Sequence, residues 1–192
     1  MSTTSPTIYF DQPGAANTDE ILTAAIARAR ALGIDQLVVA STEGPTGLRA
    51  AELVRQQAYA GKLVVVTHQA GSREPGVRRM PVDVQRQIEA TGATVVMATH
   101  ALSSAERAFR EKYGGIEMLE IVADTLRLIS PGLKVGVECV LMAADAGAIA
   151  VDRDVVAVGG TSRGADTAIV VRPAHARKLL DLKVREIIGM PR

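Results

Sequence analysis

Short apolar runs alternate along the chain with longer stretches in which apolar residues recur at helical spacing. The runs, several of them rich in valine, are residues 36–40, 63–66, 94–98, 155–158 and 168–171. Runs this short, without regular polar alternation, are typical of strands that are covered on both faces. The pattern therefore predicts five buried strands.

Between these runs the apolar positions recur every three or four residues, which predicts amphipathic helices. Helices are expected near residues 17–33, 45–60, 81–92 and 134–149, with two further helical stretches between 103 and 129. Asn17 and Glu20 form a capping-box-like pair at the first of them, and Pro131 with Gly132 is expected to end the last stretch before 134. Strands that alternate with helices predict right-handed crossovers and a mainly parallel sheet with helices on both faces.

The loop between the fourth and fifth runs is too short for a crossover helix, so the last two strands are expected to form an antiparallel hairpin. The prediction is one three-layer α/β/α domain over residues 1–192 with a mixed, mostly parallel, five-stranded sheet. Residues 8–10 and 187–188 are expected to add small edge strands at the two termini. Residues 69–79 carry no apolar periodicity and predict a long loop that could act as a mobile lid.

The composition narrows the classes of function. Of 192 residues, 22 are Lys or Arg and 21 are Asp or Glu, so no broad cationic face is expected for nucleic acid. Tryptophan is absent and 3% of residues are aromatic, which leaves few rings for stacking bases. No segment approaches the length of an apolar membrane span, and Cys139 is the only cysteine, which fits a reducing compartment. We expect a cytoplasmic protein that binds neither nucleic acid nor membrane.

The loops that follow the strands are the candidates for binding, because ligands of open parallel sheets lie beyond the carboxyl ends of the strands. The first such loop joins a strand to a helix, whose free amides suit an anion. Its residues are Ser41, Thr42, Glu43, Gly44, Pro45, Thr46 and Gly47. The pattern fits a phosphate cradle, and it fits equally a tight turn in which Thr46 caps the helix.

The second candidate loop follows the fourth strand and is rich in glycine and hydroxyl groups. Its residues are Gly159, Gly160, Thr161, Ser162, Arg163, Gly164, Ala165, Asp166 and Thr167. Arg163 could clamp a phosphate or a carbonyl group. Asp166 could accept from a ribityl or ribose hydroxyl, or could fix the turn through bonds to its own backbone.

Two histidines are expected to lie at the same edge of the predicted sheet. Thr67 with His68 ends one strand, and His100 follows another after a threonine. A metal site with Glu138 or Asp145 matches no known ligand spacing, so no metal is predicted, and the histidines are expected to line a pocket or cap strands. The two carboxylates lie seven residues apart on one helical face, which a solvated stripe explains most simply. No catalytic residue is assigned.

Several strings in the chain resemble a known family. They are residues 9–14 with Asn17 and Thr18, residues 39–41 with Gly44 and Thr46, residues 142–147, 157–160, 162–167, 172–175 and 190–192. The chain resembles the carboxy-terminal domain of pyruvate kinase and, more closely, the stand-alone pyruvate kinase alpha/beta domain-like family. Glu43 stands where the kinase domain usually has a serine, and a carboxylate there would oppose an anion unless it turns outward.

The resemblance implies strand order 3-2-1-4-5 with an antiparallel last strand, so both glycine-rich loops would flank the reversal in strand order. It also implies binding of flavin mononucleotide (FMN), with the phosphate at loop 41–47 and the rest of the cofactor against Thr67, His68 and loop 159–167. No reaction is implied beyond a flavin-dependent oxidoreductase. The alternatives are a sensor of a phosphorylated metabolite and a hydrolase or transferase that uses His68 or His100 as general base. A homo-oligomer is expected on general grounds.

Overall fold

The computed structural model describes residues 2–103 and 105–192. Within those ranges the strands are β1 (Ile8–Phe10), β2 (Gln36–Ala40), β3 (Lys62–His68), β4 (Thr94–Ala98), β5 (Val155–Gly159), β6 (Thr167–Arg172) and β7 (Lys183–Pro191). The α-helices are α1 (Thr18–Ala31), α2 (Pro45–Gln56), α3 (Val82–Glu89), α4 (Glu106–Tyr113), α5 (Met118–Arg127) and α6 (Pro131–Asp145). No helix in the described part of the chain has the length and apolar character that crossing a membrane requires.

All of these strands belong to one mixed sheet. Its order is β1-β7-β6-β5-β2-β3-β4. Strand β2 pairs in parallel with β3 and β5, and β3 pairs in parallel with β4. Strand β6 runs antiparallel to β5, so the predicted hairpin is confirmed. The predicted α/β fold with a mixed sheet is confirmed as well.

The predicted strand number and order are wrong for the sheet as a whole. The sheet has seven strands instead of five, because both termini extend it beyond β6. Strand β7 covers nine residues and lies between β6 and β1, antiparallel to the former and parallel to the latter. The sequence suggested only a small edge strand there, because the first part of β7 is charged and exposed and lacks the apolar run that marks the other strands.

The valine-rich strands are buried because helices cover both faces of the sheet. On one face, α1, α2 and α3 pack against side chains that include Val39 and Val65. On the other face, α5 and α6 pack against the alternate side chains, which include Val38 and Val64. Successive side chains of a strand point to opposite faces, so each strand contributes to both cores. This explains the absence of polar alternation in the runs.

Helix α6 begins earlier than the sequence predicted. Ser130 is its N-cap, and the Ser130 hydroxyl accepts a hydrogen bond from the Gly132 amide. Pro131 occupies the first helical turn, where its missing N–H costs nothing. Pro131 and Gly132 therefore start this helix, and the prediction that they end the preceding one is wrong.

The first turn of α6 lies directly against the end of β5. A Cβ atom built on Gly159 would stand 2.2 Å from the Gly132 carbonyl oxygen, and one built on Gly132 would stand 2.3 Å from Thr167 Oγ1. Backbone meets backbone at Gly159, so no side-chain movement can relieve a clash there. These two glycines set how closely α6 approaches the second of the two loops predicted to bind a ligand.

Replacing Gly159 by alanine should therefore lower stability by about 1–3 kcal/mol, the usual cost of overpacking. The matched control is Gly136→Ala in α6, where the atom nearest to the added Cβ is the flexible end of Ile169 at 3.3 Å. Gly136→Ala also improves helix propensity, so its net effect on the free energy of unfolding should stay within about 1 kcal/mol. Urea denaturation of both variants measures the difference, and equal stabilities would contradict the packing described.

Candidate functional site

One cavity of about 870 Å³ opens at the carboxyl ends of β2, β3 and β5. Strand β2 lies between β3 and β5, so this is where the chain passes from one half of the sheet to the other. Ligands of open α/β sheets bind at such a reversal in strand order. The start of α2, the middle of α6 and the loops after β2, β3 and β5 contribute its walls.

The cavity collects many of the predicted binding residues, but not all. Those that line it are Ser41, Thr42, Glu43, Pro45, Thr46, Thr67, His68, Gly160, Ser162, Arg163 and Gly164. Those that do not are Gly44, Gly47, Gly159, Thr161, Ala165, Asp166 and Thr167. Residues of the second group, among them Gly44 and Asp166, hold the shape of the two loops.

Loop 41–47 is held by its own side chains. The Ser41 hydroxyl accepts from the Gly47 amide at 3.0 Å, and the Thr67 hydroxyl donates to the Thr42 carbonyl at 2.7 Å. Gly44 has φ +112°, and a Cβ there would stand 2.1 Å from Val84 Cγ1. Since Pro45 has no N–H and Ser41 already occupies the Gly47 amide, the Thr46 amide is the group that this helix start has left to offer an anion.

Asp166 fixes the second loop. It is fully buried, and its Oδ2 accepts from the amides of Gly14 and Thr161 at 2.9 and 3.0 Å. Its Oδ1 accepts from the Thr167 hydroxyl at 2.8 Å. A carboxylate occupied in this way is a loop-forming group, so of the two roles considered for Asp166 the structure favours the turn.

Among the described residues, four arginines line the cavity, and one of them, Arg49 of α2, is held by two carboxylates on α1 and α2. The other three, at its mouth, are Arg73 and Arg79 from the loop after β3 and Arg163 from the loop after β5. We call them the arginine cluster. Arg79 Nη2 lies 2.6 Å from Glu43 Oε1, and this hydrogen bond, with the charge of Arg79 and the weaker fields of Arg163 and Arg73, lowers the pKa of Glu43. Three cations face one exposed carboxylate, so the mouth carries net positive charge and Glu43 does not bar an anion from it.

A second polar cluster lies deeper in the cavity wall. Glu138 on α6 accepts from Lys134 Nζ at 2.5 Å and from the Leu102 amide at 3.0 Å. It also lies 2.9 Å from Nδ1 of His100. The His100 ring meets the His68 ring edge to face, with centroids 4.3 Å apart. We call Lys134, Glu138, His100 and His68 the histidine cluster.

The environment sets the protonation of two members of this cluster. Burial alone would raise the pKa of Glu138, but the hydrogen bond from His100 and the charge of Lys134 outweigh it and lower that pKa to about 2. Burial, followed by the nearby His100 and Arg79, lowers the pKa of His68 to about 4. At neutral pH Glu138 is therefore ionised and His68 is neutral.

Sequence reasoning missed both clusters in part. It assigned Glu138 to a solvated stripe, yet this residue is 2% exposed, while Asp145 is half-exposed and lies 3.2 Å from His175. The spacing of Lys134 and Glu138, four residues apart in an apolar helix, was the available signal. Arg73 and Arg79 fell in a loop without periodicity, where no local pattern indicates which arginines face a ligand.

The walls between the two clusters are mostly apolar. Ala40, Val66, Val135 and Met142 contribute to them, together with the rings of His68 and His100. None of the described residues that line the cavity is Phe or Tyr. Within the described ranges, no group of three or more His, Cys, Asp or Glu residues is arranged to hold a metal ion. Cys139 is buried, which raises the pKa of its thiol to about 12 and makes it a poor nucleophile.

Comparison with known proteins gives one family. The family model described as the pyruvate kinase, alpha/beta domain, matches residues 19–171. Among solved structures, the chain is similar to O-ureido-L-serine synthase at 22% sequence identity and a TM-score of 0.31. That match covers 50% of this chain and 30% of the synthase chain.

The depressed pKa of His68 predicts how stability changes with pH. The unfolded chain binds a proton at His68 near pH 6.5, whereas the folded chain binds it only near pH 4. The stabilisation from neutral His68 is thus complete above pH 6.5 and is lost as pH falls towards 4. Ionised Glu138 likewise stabilises the folded chain, and this contribution is lost as pH falls from 4.5 to 2. Urea denaturation across pH 7 to 4 should show a smaller decrease for His68→Gln than for the wild type, and identical decreases would contradict the assignment.

Proposed function

This chain belongs to the pyruvate kinase alpha/beta domain family, and from that premise we propose that it binds FMN in the cavity beyond β2 and β5. The phosphate lies at the arginine cluster and the start of α2, and the ring system lies towards the histidine cluster. The observation that carries this proposal is the cavity itself, because it joins a cationic mouth to a largely apolar interior.

The mouth of the cavity has the groups that binding of a phosphate monoester requires. The arginine cluster offers guanidinium donors, which bind phosphate through charge-assisted hydrogen bonds. The Thr46 amide, at the positive end of the α2 dipole, adds a backbone donor. Glu43 forms an ion pair with Arg79, so a phosphate has to compete with a carboxylate for this arginine.

The inner part of the cavity, where the flavin ring would lie, fits a flat, partly polar group. The cavity volume lies within the usual range of about 300–1,000 Å³ for small-molecule sites. Val135, Met142 and the two imidazole rings offer apolar and flat surfaces, and Ser162 and Thr42 offer hydroxyl groups along the way. Since no Phe or Tyr lines the described walls, we expect the phosphate to supply much of the affinity.

A bound flavin would supply hydride and electron transfer, and the chain's own residues would orient it and exclude water. The arginine cluster would fix one end of the ligand. Asp166 acts indirectly, because it binds the Gly14 amide and so holds the second loop near the start of α1. The substrate of such a reaction is not assigned.

A sensor of a phosphorylated metabolite is the second candidate. The arginine cluster favours it, because guanidinium groups recognise a phosphate whatever is esterified to it. Such a protein would be stabilised by sugar phosphates or nucleotides and would carry out no redox reaction. The thermal shift given by a panel of these compounds, compared with FMN at equal concentration, separates the two functions.

The phosphate requirement can be measured by titrating the protein with FMN and with riboflavin, which lacks the phosphate. We expect FMN to bind at least about tenfold more tightly, which corresponds to about 1.4 kcal/mol. Arg79→Gln should weaken FMN by about tenfold and leave riboflavin unchanged. The control is Arg55→Gln, which removes an exposed arginine of α2 that does not line the cavity.

Equal affinities for FMN and riboflavin in the wild type would contradict a phosphate site at the mouth. Binding of FMN that is weakened equally by Arg79→Gln and Arg55→Gln would place the effect in overall charge instead of in a contact. Absence of flavin binding together with stabilisation by sugar phosphates would select the sensor.

Removing the competing carboxylate should strengthen phosphate binding. In Glu43→Gln, Arg79 keeps a polar neighbour but no longer an ionic partner, so we expect FMN to bind several-fold more tightly with riboflavin unaffected. Glu111→Gln is the control, since it removes an exposed carboxylate outside the cavity. The same titration measures both, and unchanged or weaker FMN binding by Glu43→Gln would refute the competition.

A further inference from the structure

The histidine cluster goes beyond what ligand binding requires. A buried ion pair is costly to form, and apolar side chains of similar size would line a binding cavity equally well. Here the ionised Glu138 holds a histidine that itself lines the cavity. A carboxylate that orients an imidazole next to a bound molecule is the arrangement of a general base and its positioning group.

The hydrogen bonds determine which ring nitrogen of His100 carries the proton. An ionised carboxylate only accepts hydrogen bonds, so Nδ1 of His100 must be the donor to Glu138. In the neutral imidazole the other nitrogen, Nε2, then has a free lone pair. Among the described residues, Nε2 has no hydrogen-bond partner, so the base is available to a ligand.

His68 and Lys134 complete the arrangement. The neutral ring of His68 meets His100 edge to face and so adds no charge that would oppose proton uptake. Lys134 donates to the same carboxylate oxygen of Glu138 that His100 contacts, so it helps to keep that carboxylate ionised. From the mouth of the cavity, the charge of Arg79 also lowers the pKa of His68.

A second, smaller cavity of about 410 Å³ lies on the other side of His100. Thr99, Ala101 and Asp145 line it, and His100 and Met142 line both cavities. His100 and Met142 therefore form part of the partition between the two cavities.

We propose that His100 is a catalytic base that takes a proton from a phosphorylated ligand held in the main cavity, with Glu138 as its positioning residue. The ligand's O–H or N–H bond breaks, its electron pair stays on the ligand, and the proton joins the lone pair of Nε2. The imidazolium keeps its Nδ1–H hydrogen bond to Glu138 and returns the proton from Nε2 to the ligand or to water that enters the main cavity. The ligand's position rests on the proposed phosphate site, whereas the state of His100 does not.

The state of His100 is tested by ¹⁵N NMR of the imidazole groups in the ligand-free protein. We expect the Nδ1–H tautomer in the wild type and in Lys134→Met, because Glu138 remains in both. The double variant Lys134→Met with Glu138→Leu removes the buried pair as a unit, which proteins often tolerate, and should lose that tautomer. An Nε2–H tautomer in the wild type would overturn the proposal, whatever the protein binds.

Proton transfer is tested with nitrocatechol monophosphate, which carries one phosphate and one nitrophenol hydroxyl whose ionisation is visible. In the bound probe, the titration midpoint of this hydroxyl should lie about one pH unit lower in the wild type than in His100→Gln. His175→Gln, a change at an exposed histidine outside the main cavity, should match the wild type. Equal midpoints in the wild type and His100→Gln would overturn the assignment of His100 as base.

The two proposals fail in different ways. If the probe does not bind, or binds no better than free nitrocatechol, the phosphate site is wrong, and the NMR result still decides the state of His100. If the probe binds through its phosphate but its hydroxyl titrates alike in both proteins, the phosphate site stands and the base is wrong.

Discussion

A carboxylate that is removed from water has to be paired, and Glu138 meets this constraint by drawing two segments together. Lys134 reaches it from the same helix, the Leu102 amide from the chain after β4, and His100 from the same region. An unpaired charge at this position would cost several kcal/mol. The link between α6 and the chain after β4, and with it the placement of His100 in the inner wall of the cavity, therefore depends on this pairing.

The close approach of α6 to β5 gives the other half of the site. Gly132 and Gly159 allow the backbones to meet, and Asp166 ties the following loop to Gly14 near the start of α1. Both loops around the reversal of the sheet are thus fixed by glycine contacts and buried hydrogen bonds. Arg163 belongs to the second of these loops, and Arg79, from the loop after β3, is held by Glu43 of the first. The two ends of the cavity differ in chemistry, because arginines lie at its mouth and the histidine cluster lies in its inner wall.

Much of this could be predicted where the determinants are local. The bounds of β2 and β4 follow from their apolar runs, and loop 41–47 follows from the glycine at its turn. Strand β7 could not be predicted in full, because its pairing with β6 and β1 compensates for a charged first half that reads as a loop. Glu138 and Arg79 owe their roles to partners distant in sequence, His100 and Glu43, and helical periodicity carries no information about such partners.

The central claim is that one cavity holds a phosphate at its cationic mouth and places the rest of the ligand at His100. A crystal structure of the protein with FMN tests it most directly. We expect the phosphate among Arg79, Arg163 and the Thr46 amide, Glu43 displaced from Arg79, and the ring next to His100. A phosphate bound elsewhere, or a flavin whose ring lies at the arginines and whose phosphate lies at the histidines, would contradict the claim.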